Sequence, residues 1–277
     1  MPPAGIAYGL LAALSFGSGD FVGASAARRA GVLVVVAGAQ VAGLAALLVG
    51  LAVMRPEPPG MDGIALGLLA GIAGAVGLAA LFGGMALGSM GLVAALSGAG
   101  SLVIPLVVGA LTGASVAPLQ LVGIVAAAAA AAAASGASRG DVGRRALALS
   151  GLAAVAFGSW YVLLDLGAQV ADPLWTLVLS RTAAAIVTGV VAARRFDHGR
   201  YPYRIVAVAG LLDVAGNAFY VAARGEMAVG LAAALTGLYP IVTMLLARFI
   251  VRERLAPLGL VGVALAVAAV VLISVGG

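Results

Sequence analysis

The stretch "GLLAALSFGSGDFV" from Gly9 is answered, at an offset of 141, within "GLAAVAFGSWYVLL" from Gly151, with Phe16-Gly17-Ser18 falling on Phe157-Gly158-Ser159. Two further matches keep nearly the same spacing. "GLVAALSGAGSLVIPLV" from Gly91 overlies "GLAAALTGLYPIVTMLL" from Gly230, and "APLQLVGI" from Ala117 overlies "APLGLVGV" from Ala256. A spacing that drifts by only two residues over three separate matches marks a duplicated unit. Each unit holds an odd number of apolar stretches, so the second copy must cross a bilayer in the opposite sense to the first. Inverted repeats of this kind recur in secondary transporters.

Working outward, composition bounds the class. Hydrophobic residues make up 64% of the 277 and charged ones 9%, against roughly 45 to 50% and about 25% in an average soluble domain. The reading is an all-α membrane protein. The 41 glycines and the nine-alanine run from Ala126 to Ala134 narrow the helix surfaces so that backbones can approach closely in lipid. Cysteine is absent, which removes disulfides, thiolate metal sites and cysteine nucleophiles. The pI near 10.2 is high enough to suit nucleic acid, but the lysines and arginines are all arginine, scattered over short connections apart from Arg181. That pattern is a topology signal.

Ten stretches of about 20 apolar residues are each long enough to cross a hydrocarbon core. They fall near 4 to 25, 31 to 53, 63 to 83, 89 to 111, 117 to 135, 146 to 168, 173 to 193, 203 to 223, 229 to 250 and 256 to 275. A first five-helix repeat thus covers 1–138, a polar linker 139–145, and a second repeat 146–277. The opening "MPPAG" lacks the positive region of a cleavable signal, so the first span is expected to be structural and retained. The connections after spans 1, 5, 7 and 9 and their flanks hold twelve arginines, the opposite face holds Arg55 and Arg224, and Arg181 lies within a span. By the positive-inside rule both termini then lie outside.

Ionisable groups inside spans are costly and mark an interior or a wet path. At about 1.5 Å per residue from the face of the termini, Arg181 of span 7 lies about 13 Å deep and Asp213 of span 8 about 15 Å. Equal depth on consecutive antiparallel spans makes them a candidate ion pair. Two readings stand open: a fixed pair that locks spans 7 and 8, or a role in binding and coupling. Asp20, about 22 Å deep by the same rise, is within reach of a long arginine side chain, and is the cleaner coupling candidate if it lacks one. A carboxylate in a low-dielectric cavity can carry a proton. Gln40 is the repeat mate of Arg181, so the second span of each copy is polar at the same point. Asp165 reads as interfacial, and Glu253, between Arg252 and Arg254, as a solvated cap or loop salt bridge.

Aromatic residues are only 5% of the chain. Trp160 and Tyr161 follow the Phe-Gly-Ser motif, Tyr220 lies one turn beyond Asn217, and Tyr239 precedes Pro240. Together they present flat surfaces and hydroxyl donors suited to an organic solute in a cavity; the alternative is ordinary packing. Tyr8, Trp175, Tyr201 and Tyr203 at span ends read as interfacial anchors. Ser97 and Thr236 are repeat mates, each followed by glycine, and fit either close packing or bending. Pro105 and Pro240 interrupt spans 4 and 9 at non-equivalent positions, which makes these two spans candidates for gate elements.

The chain shows no His-Glu-x-x-His or phosphate-binding loop, and its single histidine, His198, lies in a polar connection. No cofactor or metal is expected, and an intramembrane enzyme is a distant reading because no nucleophile and base can be paired.

Two stretches carry a family resemblance: "AVAFGSWYVLLDLGAQ" in span 6, and "AVGLAAALTGLYPIVTMLLARFIVRERLAPLGLVGVALAVAAVVLIS" at the C-terminus. The chain resembles the EamA family of the drug/metabolite transporter superfamily over nearly its whole length. The most specific part runs from Leu238-Tyr239-Pro240 through Arg252-Glu253-Arg254 to Gly262. The first-half counterparts of Pro240 and Glu253 are Ser101 and Ala114, so that copy departs from the pattern. The resemblance implies a central cavity between spans 1, 3, 4, 6, 8 and 9, alternating access, and export or import of amino acids, small metabolites or drugs across the cytoplasmic membrane. It also implies cytoplasmic termini, the reverse of the arginine count. Carried onto this chain, the lining becomes Asp20, Trp160, Tyr161, Asp213, Asn217, Tyr220 and Tyr239. Arg181 and Gln40 fall on spans outside it, which favours a structural pair. The expected activity is secondary transport of a small organic solute, possible proton coupling included. The contrasting expectation is a non-transporting scaffold or subunit whose polar interior is fully paired, and a monomer suffices for either.

Overall fold

The computed structural model describes residues 3–112, 117–137, 143–193, 203–227, 232, 235–254 and 257–275. Ten helices carry them: α1 (Pro3–Ala30), α2 (Val32–Met54), α3 (Met61–Leu87), α4 (Met90–Leu111), α5 (Pro118–Ala137), α6 (Arg144–Val170), α7 (Pro173–Ala193), α8 (Tyr203–Glu226), α9 (Tyr239–Ile250) and α10 (Pro257–Val275). Eight are long and apolar enough to cross a bilayer; the shorter apolar runs are Pro118–Ala130 and Tyr239–Ile250. No described residue is in a strand. The chain is a multi-pass helical membrane protein. The connections with Arg139 and His198, Ala114, and the start of the ninth stretch at 228–231 lie outside the described residues.

Helix boundaries follow local chemistry. Prolines open α5, α7 and α10, where a missing N–H costs nothing and φ is already helical. A single residue, Gly31 at φ 85°, separates α1 from α2, a backbone setting that glycine adopts without strain. Several helices overrun the expected 20 residues: α1 is 28 long, and α3 and α6 are 27 each. The polar turns at their ends continue the helix beyond its apolar stretch, so α6 already starts at Arg144, inside the expected linker 139–145.

Both expected proline interruptions occur. In α4 the helix breaks at Leu102, between Met90–Ser101 and Val103–Leu111. Pro105 has no N–H for the carbonyl of Ser101, four residues earlier, and its ring crowds that carbonyl. The ninth stretch was expected as one helix over 229–250. Instead a turn at Gly237 and Leu238 precedes α9, and Pro240 sits in the first turn of the new helix, where proline is tolerated. Counted by repeat equivalence, the two breaks differ by about one helical turn.

Packing repeats along with sequence. The most extensive contacts are α3 on α6 and α1 on α8, which exchange when the two halves are swapped; α2 on α7 and α5 on α10 map onto themselves. Individual contacts obey the same exchange. A Cβ at Gly77 of α3 would lie 2.8 Å from the ring of Phe157, and one at Gly216 of α8 would lie 2.8 Å from the ring of Phe16. Likewise Gly71 abuts the Ser180 carbonyl and Gly210 the Ala39 carbonyl, with no room for a side chain. Close backbone approach through small residues maximises dispersion contact where lipid supplies no hydrophobic drive.

Candidate functional site

Polar groups inside the bundle separate into a closed network and an open cluster. The closed one is centred on Arg181 of α7, which is buried. Its Nη1 donates to Gln40 Oε1 of α2 at 2.7 Å, and its Nη2 forms an ion pair with Asp213 Oδ2 of α8. The repeat mates Gln40 and Arg181 therefore meet each other across the α2–α7 contact. Helix α2 packs on both α7 and α8, and the guanidinium passes over Gly43 of α2, where a Cβ would lie 3.7 Å from Cζ. The pair thus reaches across α2 rather than clamping two neighbours.

The open cluster gathers residues of four helices. Asp20 of α1, Tyr161 of α6 and Tyr239 of α9 lie close enough to act on one another electrostatically, and Tyr220 of α8 acts on Tyr161. Tyr161 is 43% exposed, and the other three are half-buried. Asp20 forms no hydrogen bond or ion pair with any described residue. Helix contacts set this geometry: Thr243 of α9 donates to the Gly17 carbonyl of α1 at 3.1 Å, one turn from both Asp20 and Tyr239. The Tyr239 hydroxyl donates to the Ala94 carbonyl of α4 at 3.4 Å, and its ring lies across Gly98.

The remaining sequence candidates surround this cluster. Trp160 stacks edge-on to Tyr161 with ring centroids 5.1 Å apart. Its indole N–H donates to Ser180 Oγ of α7 at 3.2 Å, and its ring covers Gly74 of α3. Asn217 Nδ2 donates to the Asp213 carbonyl at 2.9 Å. Ser97 Oγ donates to the Ser150 carbonyl of α6 at 3.4 Å, whereas the buried Thr236 Oγ1 has no partner. Towards the outer end of α8, Arg224 sits over the Tyr220 ring, 6.0 Å from its centroid. Asp165 accepts from Gln169 Nε2 at the exposed end of α6, at 3.1 Å.

A third feature was only half legible in the sequence. Glu253, in the turn after α9, is a cap as expected, but it caps a different helix. Its Oε1 accepts from Ser89 Oγ, its Oε2 from the Met90 backbone N–H at 3.1 Å. Ser89 in turn caps α4 by accepting from the Leu92 N–H. A carboxylate suits that site because the first turn of a helix presents unpaired N–H groups. On the same face Arg28 Nη2 donates to the Met85 carbonyl at 2.7 Å and the Gly88 carbonyl at 3.2 Å, at the end of α3. Three elements are thereby tied around the α3–α4 turn. Ser89 before an apolar run was the available signal; its partner 164 residues away had none.

Fold and site define a helical membrane protein with a duplicated bundle and a partly accessible aromatic and acidic cluster in its interior. Residues 144–275 match the model of the EamA-like transporter family. No curated protein matches the chain. A solved crystal structure of a protein superposes on it with a TM-score of 0.63 at 17% sequence identity, covering 98% of this chain and 96% of that one. At that identity the likeness concerns the fold.

Proposed function

We propose that the protein is a secondary transporter of small organic solutes across the cytoplasmic membrane, working by alternating access between two inverted five-helix halves. The observation that carries this reading is Asp20. It has no hydrogen-bond or ion-pair partner among the described residues and lies half-buried at mid-helix among tyrosines of three other helices. An ionisable group in a span is costly unless it serves a path or a ligand. A scaffold with a fully paired polar interior would not leave it so. The Arg181, Asp213 and Gln40 network supports the neighbouring role of a structural brace.

The broken helices support the moving parts. Pro105 and Pro240 divide the fourth and ninth stretches, and Ser97 and Thr236 lie at equivalent points beside them. The Glu253 and Arg28 ties close the arginine-rich face around the α3–α4 turn. The sequence counterpart of Glu253 on the opposite face is Ala114, which brings no carboxylate, so the two faces are expected to close by different means.

Counterflow uptake into proteoliposomes tests the reading, using labelled amino acids and metabolites with and without an imposed pH gradient. Accumulation that Asp20→Asn abolishes is the expected result, and its dependence on the gradient measures proton coupling. Absence of accumulation for every solute would overturn transport in favour of the scaffold.

A further inference from the structure

The charges of the interior do not balance locally. Arg181 is the one arginine placed within a span by sequence, and it is engaged by Asp213 and Gln40. It is therefore not free to receive a substrate carboxylate. Asp20 has no such partner among the described residues. What surrounds it is aromatic: Tyr161 and Tyr239 are within electrostatic reach, Tyr220 adjoins Tyr161, and Trp160 stacks on Tyr161. Arg224 already rests over the Tyr220 face, 6.0 Å from its centroid, which leaves Tyr161, Tyr239 and Trp160 as the rings beside Asp20.

On this basis, and resting on the transport reading above, we infer that the site selects organic cations: a protonated amine or quaternary ammonium on an apolar body. A carboxylate supplies the countercharge. Ring faces carry negative potential and attract a cation without demanding hydrogen bonds, and they cover the apolar part of the same molecule. An anion would meet an uncompensated carboxylate in a medium of low dielectric, where like charges repel strongly. A zwitterionic amino acid would bring a carboxylate for which the cluster offers only tyrosine hydroxyls, one of them already donating to Ala94.

The test is calorimetric titration of the full-length protein in detergent with three probes: benzyltrimethylammonium, its neutral carbon isostere neopentylbenzene, and benzenesulfonate. The cation is expected to bind at least about tenfold more tightly than either of the others. Asp20→Asn is expected to remove that preference while leaving the isostere affinity within about twofold. Tyr161→Ala should weaken the cation by several-fold and Tyr161→Phe should not, because the ring face and not the hydroxyl does the work. Equal binding of the three probes, a preference for the anion, or no binding of the cation to wild-type protein overturns the proposal without any variant having to fold. Counterflow separates the two readings. Solutes moved without cation preference would sink cation selectivity and leave transport standing, whereas Asp20-dependent cation binding without movement would sink transport and leave the site standing.

Discussion

In the first half Gly19, Gln40, Gly74 and Gly100 stand where the second half carries Trp160, Arg181, Asp213 and Tyr239. The contacts that hold the halves together are nonetheless the same. Phe16 on Gly216 mirrors Phe157 on Gly77, and Gly210 against Ala39 mirrors Gly71 against Ser180. A shared skeleton of small residues sets helix distances, and the groups with chemistry sit at points where one copy departs from the other. Accessibility follows the departure. In the spanning windows of α6 and α8, 22% of residues are buried, against 44% and 50% in their counterparts α1 and α3. Helices α6 and α8, which bear Trp160, Tyr161, Asp213 and Tyr220, are less covered than their counterparts, whereas α7, which bears Arg181, is 50% buried against 39% in α2. The site is therefore asymmetric even though the bundle that frames it is built on an exchange of halves.

Giving the second half the residues of the first would sharpen or break that contrast. The largest effect is expected from Arg181→Gln, which leaves Asp213 without its countercharge. It should lower stability by about 3 kcal/mol, the low end for a buried pair because the Asp213 side chain is 31% exposed. Adding Asp213→Asn should restore most of the loss, as read by chemical unfolding in mixed micelles. If the double variant stays as unstable as the single one, the brace is not ionic.

Next come the shared contacts. Gly77→Ala and Gly216→Ala each push a Cβ into a phenylalanine ring, and overpacking of this kind costs about 1 to 3 kcal/mol. The two losses should agree within about 1 kcal/mol. A large difference would mean that the skeleton is not shared energetically. Glu253→Ala installs the residue found at Ala114 and removes two hydrogen bonds from the start of α4. A loss of about 1 to 2 kcal/mol is expected, with faster hydrogen exchange at the Met90 amide than at amides of α7. Unchanged protection there would rule out the tie as a closure of that face. The smallest effect belongs to Ser180→Ala, matching Ala39. It leaves the Trp160 indole without its acceptor, for about 1 kcal/mol or less, and should shift tryptophan fluorescence more than it shifts the unfolding midpoint.

Much of the fold was legible because lipid imposes it. Long apolar runs must be helices there, since no water is present to satisfy open backbone groups, and the repeat is a direct pattern in the letters. Pro105 and Pro240 announced their breaks for a covalent reason, the missing N–H. The pairing of Arg181 with Asp213 followed from equal depth, a one-dimensional quantity. Its passage across α2 did not, because depth carries no information about which helix lies between. Trp160 was legible as an aromatic in the right span, but its hydrogen bond to Ser180 and its cover over Gly74 depend on the rotation of α6.

The sequence by itself determined the membrane class, the duplication, the helix breaks and the short roster of interior ionisable groups. Each of these follows from hydrophobicity, repetition or a local backbone constraint. Tertiary structure alone decided which helix lies between the paired groups and what surrounds the other acid. Arg181 has one guanidinium, and packing α2 between α7 and α8 brings it to Asp213 and Gln40 while Asp20 is turned toward the tyrosines. What surrounds each carboxylate is set by helix order and rotation, and those are properties of the packed bundle rather than of any segment within it.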